Sequence, residues 1–228
     1  MKIHLTLLII LIFTQNGTSQ TKESYDKTFG NFVIKVTDEV TQSYADLVDL
    51  KTDSIWSKST PKFDNLDFDI PKPPPVLVYR KEYKIHFFLK QNLYTQYTAN
   101  CDNGREIYNI LKVDRETLLG TNFEPYFFEL RENRWDFNKH TEDEFEILEY
   151  FKDDRKTICG FECYKIKIQT KGVAKRTIEM YVTEQIELNY NPAFTNLHLL
   201  NKFYPLYIKE YLENYPNDVY KEFVFELE

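Results

Sequence analysis

The sequence predicts an α+β protein, an antiparallel sheet of about seven strands with one or two helices packed against it. Three observations predict it. Apolar and polar residues alternate with period two in runs from about residue 79 onward. Apolar residues recur every three or four positions between Asn31 and Leu50. A proline-rich stretch separates the two patterns. The expected organisation is a leader over 1–19, an N-terminal helical segment over 20–56, a connector over 57–78 and an antiparallel β-rich domain over 79–228.

Taken in chain order, Lys2 and His4 precede the apolar run Leu5 to Phe13, and a small-residue stretch ends Gly17-Thr18-Ser19. This has the layout of a secretory signal peptide cut after Ser19. As a helix the run spans only about 14 Å against a hydrocarbon core of roughly 30 Å, so no transmembrane anchor is expected after cleavage. The destination is then the periplasm or the exterior. Phe32, Val36, Val40, Tyr44, Leu47 and Val48 form the stripe of an amphipathic helix over Asn31 to Leu50, capped by Asn31. The β-branched residues Val33, Ile34, Val36, Thr37, Val40 and Thr41 pull the same stretch toward strand. Pro61, Pro71 and Pro73 to Pro75 make the connector stiff and extended.

Strands are expected at Tyr83 to Lys90, Leu93 to Thr98, Ile107 to Val113, Phe145 to Phe151, Phe161 to Ile168, Lys175 to Thr183 and Phe223 to Leu227, with a turn at Asn103-Gly104. Around Lys171-Gly172, Tyr164, Ile166 and Ile168 share one strand face, and Ile178, Met180 and Val182 share one face of the next, as a hairpin with one wet side requires. The helix stripe is the expected cover for the apolar side.

The chain has 228 residues, 42% of them hydrophobic, which is enough apolar volume for a core. Its net charge is −7 and no block of Lys and Arg is present, so the field that holds a polyphosphate backbone is missing and nucleic acid is not an expected partner. Export permits disulfides among Cys101, Cys159 and Cys163, and the odd count leaves at least one thiol over. A three-residue hairpin loop would set Cys159 opposite Cys163. A two-residue Gly160-Phe161 turn, the favoured reading, pairs Cys159 with Glu162 and sends the sulfurs to opposite faces.

Lys156-x-Ile158-x-Gly160-Phe161-x-Cys163-x-Lys165, then Tyr181-Val182-Thr183 with Ile186, then Phe203-Tyr204-Pro205-Leu206, resemble the C-terminal half of secreted Bacteroidetes proteins of the GLPGLI type. The resemblance covers roughly residues 145–228. The name-giving Gly-Leu-Pro-Gly-Leu-Ile is absent, and Lys202 stands where a glycine is usual. It implies a fold like that of the lipoprotein carriers, a curved antiparallel half-barrel partly covering its helices and leaving an apolar groove. It implies no activity.

The residues themselves point to no catalytic centre, metal site or cofactor. His86, His140 and His198 stand apart, no His-Glu-x-x-His or Gly-x-Ser-x-Gly occurs, and six glycines leave no phosphate loop. Glu142, Asp143, Glu144 and Glu146 lack the spacing of a calcium loop and read as a solvated turn, as does Asp153-Asp154 before Arg155-Lys156. The aromatic content, 17 Tyr and 18 Phe, is the compositional excess with functional meaning. On this reading the protein is an exported non-catalytic binding or carrier protein. Tyr83, Phe87, Ile166, Ile178 and Met180 would line a groove for a lipid or other hydrophobic molecule. The alternatives are an envelope module that binds another protein, and a hydrolase whose carboxylate pair is assembled only in space.

Overall fold

A computed structural model describes residues 31–59, 73–90, 92–102, 105–123, 133–137, 144–171 and 175–228. The expected leader, the Asn103-Gly104 turn, Gly172, His140, Glu142 and Asp143 lie outside the described residues, as does the 60–72 part of the connector.

Eleven strands form one antiparallel sheet: β1 (Asn31–Val40), β2 (Tyr79–Lys90), β3 (Leu93–Asp102), β4 (Arg105–Asp114), β5 (Leu119–Phe123), β6 (Asn133–Asp136), β7 (Phe145–Ile158), β8 (Phe161–Thr170), β9 (Arg176–Thr183), β10 (Tyr204–Leu212) and β11 (Tyr215–Leu227). Among the described residues two helices accompany them, α1 (Gln42–Ser59) and α2 (Leu197–Leu200). The seven expected strands correspond to β2, β3, β4, β7, β8, β9 and β11. The expectation of about seven is therefore low, because β1, β5, β6 and β10 join the same sheet.

Strand order is β6-β5-β4-β3-β2-β1-β11-β10-β9-β8-β7. The chain starts in the middle, meanders out to one edge, resumes at the opposite edge and meanders back until β11 pairs with β1. That topology bends the sheet. Laid flat, strands spaced about 4.8 Å apart would put β6 and β7 about 48 Å from each other. The nine residue steps from Asp136 to Phe145 reach at most about 32 Å, so the two edges must curl toward one another. They do not pair, and the sheet stays open rather than closing into a barrel.

The helix expected over 31–50 is corrected. Residues 31–40 are a strand between β2 and β11, and the helix begins only at Gln42. The cause is an ambiguity of spacing: Phe32, Val36 and Val40 are four apart, which suits one helix face and one strand face equally. Burial resolves it with period two, since Phe32, Ile34, Val36 and Val40 are buried while Lys35 is exposed. Ile34 faces Ile85 on one side and Phe225 on the other, so the β-branched run sits mid-sheet where it packs best. Asn31 caps nothing here. Thr41 opens α1, its Oγ1 accepting from the Tyr44 amide at 3.4 Å and donating to Asp218 at 2.7 Å.

One sheet face is apolar through its middle. The register places Val36, Phe223, Ile208, Met180 and Ile166 in a single cross-strand row. The expected cover, the helix stripe, does not lie on it: Leu50 and Ile55 of α1 are 70% and 63% exposed. The cover is instead the twenty-residue excursion 184–203 between the adjacent strands β9 and β10. It contributes Ile186, Leu188, Tyr190, Phe194, Leu199, Leu200 and Phe203 to the same buried cluster as the sheet. The Tyr190 ring lies tilted 5.3 Å from Tyr94 and edge-on 5.2 Å from Phe137, near the β6 side. Phe194 meets Phe145 of β7 at 5.4 Å. The excursion thus bridges both arms of the curled sheet.

The opposite face takes many of the tyrosines. Hydroxyls of Tyr181, Tyr207, Tyr211 and Tyr220 donate to Asp154, Glu222, Glu179 and Glu39 at 2.9, 2.5, 2.8 and 2.7 Å. Lys165 meets Glu179 at 2.8 Å. This is where part of the aromatic excess goes, with rings on the sheet and phenol tips on carboxylates.

The β7–β8 turn corrects the hairpin reading. Ile158 pairs with Phe161, so the loop residues are Cys159-Gly160 and not Gly160-Phe161. Both have positive φ, 53° and 84°, the signature of a type I′ turn whose twist matches the flanking strands. Cys163 faces Lys156, two residues past the closing pair, so it does not stand opposite Cys159. Both thiols are free. The side chain of Cys101, on β3, lies outside the described residues.

Candidate functional site

The residues expected to line a lipid groove lie inside the fold. Phe87, Ile166, Ile178 and Met180 are buried core, and Tyr83 packs half-buried beside them. Their strands explain this. Ile166 faces Met180 across β8 and β9, Phe87 sits across the sheet on β2, and Tyr190 of the excursion lies within 6.1 Å of the Phe87 ring. All five share the apolar face, and none of them borders the two cavities that open beside it.

The larger of these, about 770 Å³, opens at one end of that face where four segments meet, Asn92 of the β2–β3 turn among them. Its walls come from the β4–β5 turn with Arg115 and Glu116, the start of the excursion with Glu184 and Glu187, and the residues after α2 with Asn201 and Lys202. Ile186, Leu188, Leu200 and the Tyr94 ring lie beneath it, all nearly fully buried, so the surface facing the cavity is mainly polar. The volume lies in the range of ordinary ligand sites.

Each wall is built rather than draped. In the β4–β5 turn, Oδ1 of Asp114 accepts from the amides of Glu116 and Thr117 at 3.0 and 2.8 Å and from the Thr117 hydroxyl at 2.8 Å. Those Thr117 and Glu116 bonds, outweighing the small cost of desolvation, hold the Asp114 carboxyl below its usual range. Leu118, in the left-handed region at φ 53°, anchors the turn by burying its side chain. In the excursion, Asn189 is fixed from both ends, its Oδ1 accepting from the Tyr94 hydroxyl at 2.6 Å and its Nδ2 donating to the Arg115 carbonyl at 2.9 Å. The Arg115 guanidinium lies 5.7 Å over the Tyr94 ring. Asn196 caps α2 at its start, its Oδ1 accepting from the Leu199 amide at 3.0 Å, and after the helix the amide of Lys202 returns to the Leu199 carbonyl.

A second cavity of about 270 Å³ adjoins the first through Glu184, which accepts from Tyr164 at 2.8 Å, and is bordered by Lys152, Arg155 and the buried Cys163. Burial pushes both the Cys159 and Cys163 thiols up to about 11, so neither is a thiolate near neutrality and neither is an activated nucleophile. Burial also raises Tyr190 and Tyr204, and burial together with a carboxylate partner raises Tyr164, Tyr207 and Tyr211. Glu179 goes the other way: burial pushes its carboxyl up, but bonds from Lys165 and Tyr211 outweigh this and hold it below the usual range. No group of three or more His, Cys, Asp or Glu able to hold a metal is present among the described residues. Of the acidic group near residue 144, Glu144 serves the fold, its Oε2 accepting from Asn196 at 3.4 Å. Asp153 and Asp154 sit in a bulge of β7 rather than in a turn.

Of the cleft residues, Ile186 and Lys202 stood out in the sequence only as positions of the family resemblance, and none was read as part of a site. The usable trace was the alternation Ile186, Leu188, Tyr190, which continues the apolar face past the end of β9. Comparison with known proteins finds no protein family, no characterised protein and no solved structure that matches the chain. No helix among the described residues is long and apolar enough to cross a membrane.

Proposed function

We propose that the protein is an exported, non-catalytic interaction module of the cell envelope, which binds a partner protein through its polar surface. The observation that carries this reading is the occupation of the sheet's apolar face by residues 184–203. A lipid carrier needs that face open. To accept an acyl chain this sheet would have to eject Tyr190, Phe194 and Leu199, whose burial contributes roughly 1.5–3 kcal/mol each. The GLPGLI resemblance is compatible with export and carries no activity of its own.

Partner binding by strand addition at β7 is disfavoured. Half of the fourteen β7 residues are charged, and its register shifts twice, after Ile147 and after Phe151. Charges and bulges of this kind keep an open edge from templating another strand. The walled cleft is the better docking feature.

The test is photo-crosslinking in the cell of origin, with the reactive residue placed at Glu187 or Lys202 and, as control, at the buried Leu206. Discrete protein adducts from the two cleft positions alone are expected. Adducts to lipid, with an acyl chain bound to the purified protein in equal proportion, would overturn the proposal in favour of a carrier. N-terminal sequencing that fails to find Gln20 first would remove the export step.

A further inference from the structure

We draw no further inference here: the strongest candidate, the tyrosine-bearing sheet face where Tyr181, Tyr207, Tyr211 and Tyr220 stand beside the cross-strand charge row Glu149, Lys167, Glu179, Lys209 and Glu222, carries nothing, because its phenols already bond carboxylates of this chain, its alternating charges stand opposite one another on neighbouring strands, and nothing in the structure shows what covers it.

Discussion

Replacing Tyr190 with alanine removes the side chain that joins the excursion to the sheet. Tyr190 is 2% exposed, and its ring lies 5.3 Å from Tyr94, 6.1 Å from Phe87 and 5.2 Å from Phe137. Its hydroxyl donates to Gln96 at 3.1 Å. Truncating a buried aromatic that its neighbours cannot close around costs about 3–5 kcal/mol. Tyr190→Phe keeps the ring and loses only the hydrogen bond, which is worth about 1 kcal/mol. The assay is urea denaturation of the mature protein, with the midpoint read at constant slope so that the change reports the native state alone. On heating, the alanine variant should melt roughly 6–20 °C lower. A cost below about 1 kcal/mol for Tyr190→Ala would mean that the excursion is a loose strap rather than part of the core, and would refute its role as the cover of the sheet.

Three further outcomes follow from the same structure. Gly160→Ala puts a Cβ where no atom lies within 4 Å, so no clash arises and only the φ of 84° penalises it, by about 1–2 kcal/mol in the urea midpoint. Cys159→Asn, at φ 53° in the same turn, should be neutral to stabilising by up to about 1 kcal/mol, and a large loss there would show that the half-buried thiol packing outweighs the turn preference. Alkaline pH should destabilise the fold between about pH 9 and 11: the unfolded thiols ionise near their ordinary value, while burial keeps Cys159 and Cys163 protonated up to about 11. The folded state therefore holds the extra protons in that window, and a urea midpoint that rises with pH there would contradict the assignment.

The strands were legible where alternation was long and uninterrupted, as in Tyr164 to Ile168 against Ile178 to Val182, whose faces the register reproduces. β1 was not, because residues spaced four apart satisfy both periods and the tie is broken only by two flanking strands that the local sequence does not contain. β10 was obscured by Pro205, which reads as a turn yet sits at a register irregularity opposite Val182 and so removes a donor where the ladder is already disturbed. β5 and β6, of five and four residues, are too short to show a period. The excursion was the least legible part, since Asn189, Asn191, Pro192 and Asn196 mark it as loop. Those same asparagines hold it down, Asn191 donating to the Pro205 carbonyl at 3.0 Å while Asn196 caps α2. The cleft emerges only once the β4–β5 turn and the excursion meet, and their residues are some seventy positions apart in the chain.

The most direct test of the filled sheet is native-state hydrogen exchange on the excursion. The amides of Leu200 and Phe203, bonded to the carbonyls of Asn196 and Leu199, are read beside those of Met180 in β9 and Ile208 in β10. If residues 184–203 are core, all four exchange with the free energy of global unfolding. Should Leu200 and Phe203 exchange several kcal/mol more readily than the strands beneath them, the excursion would be a lid over an accessible groove, and a permanently covered apolar face would be contradicted.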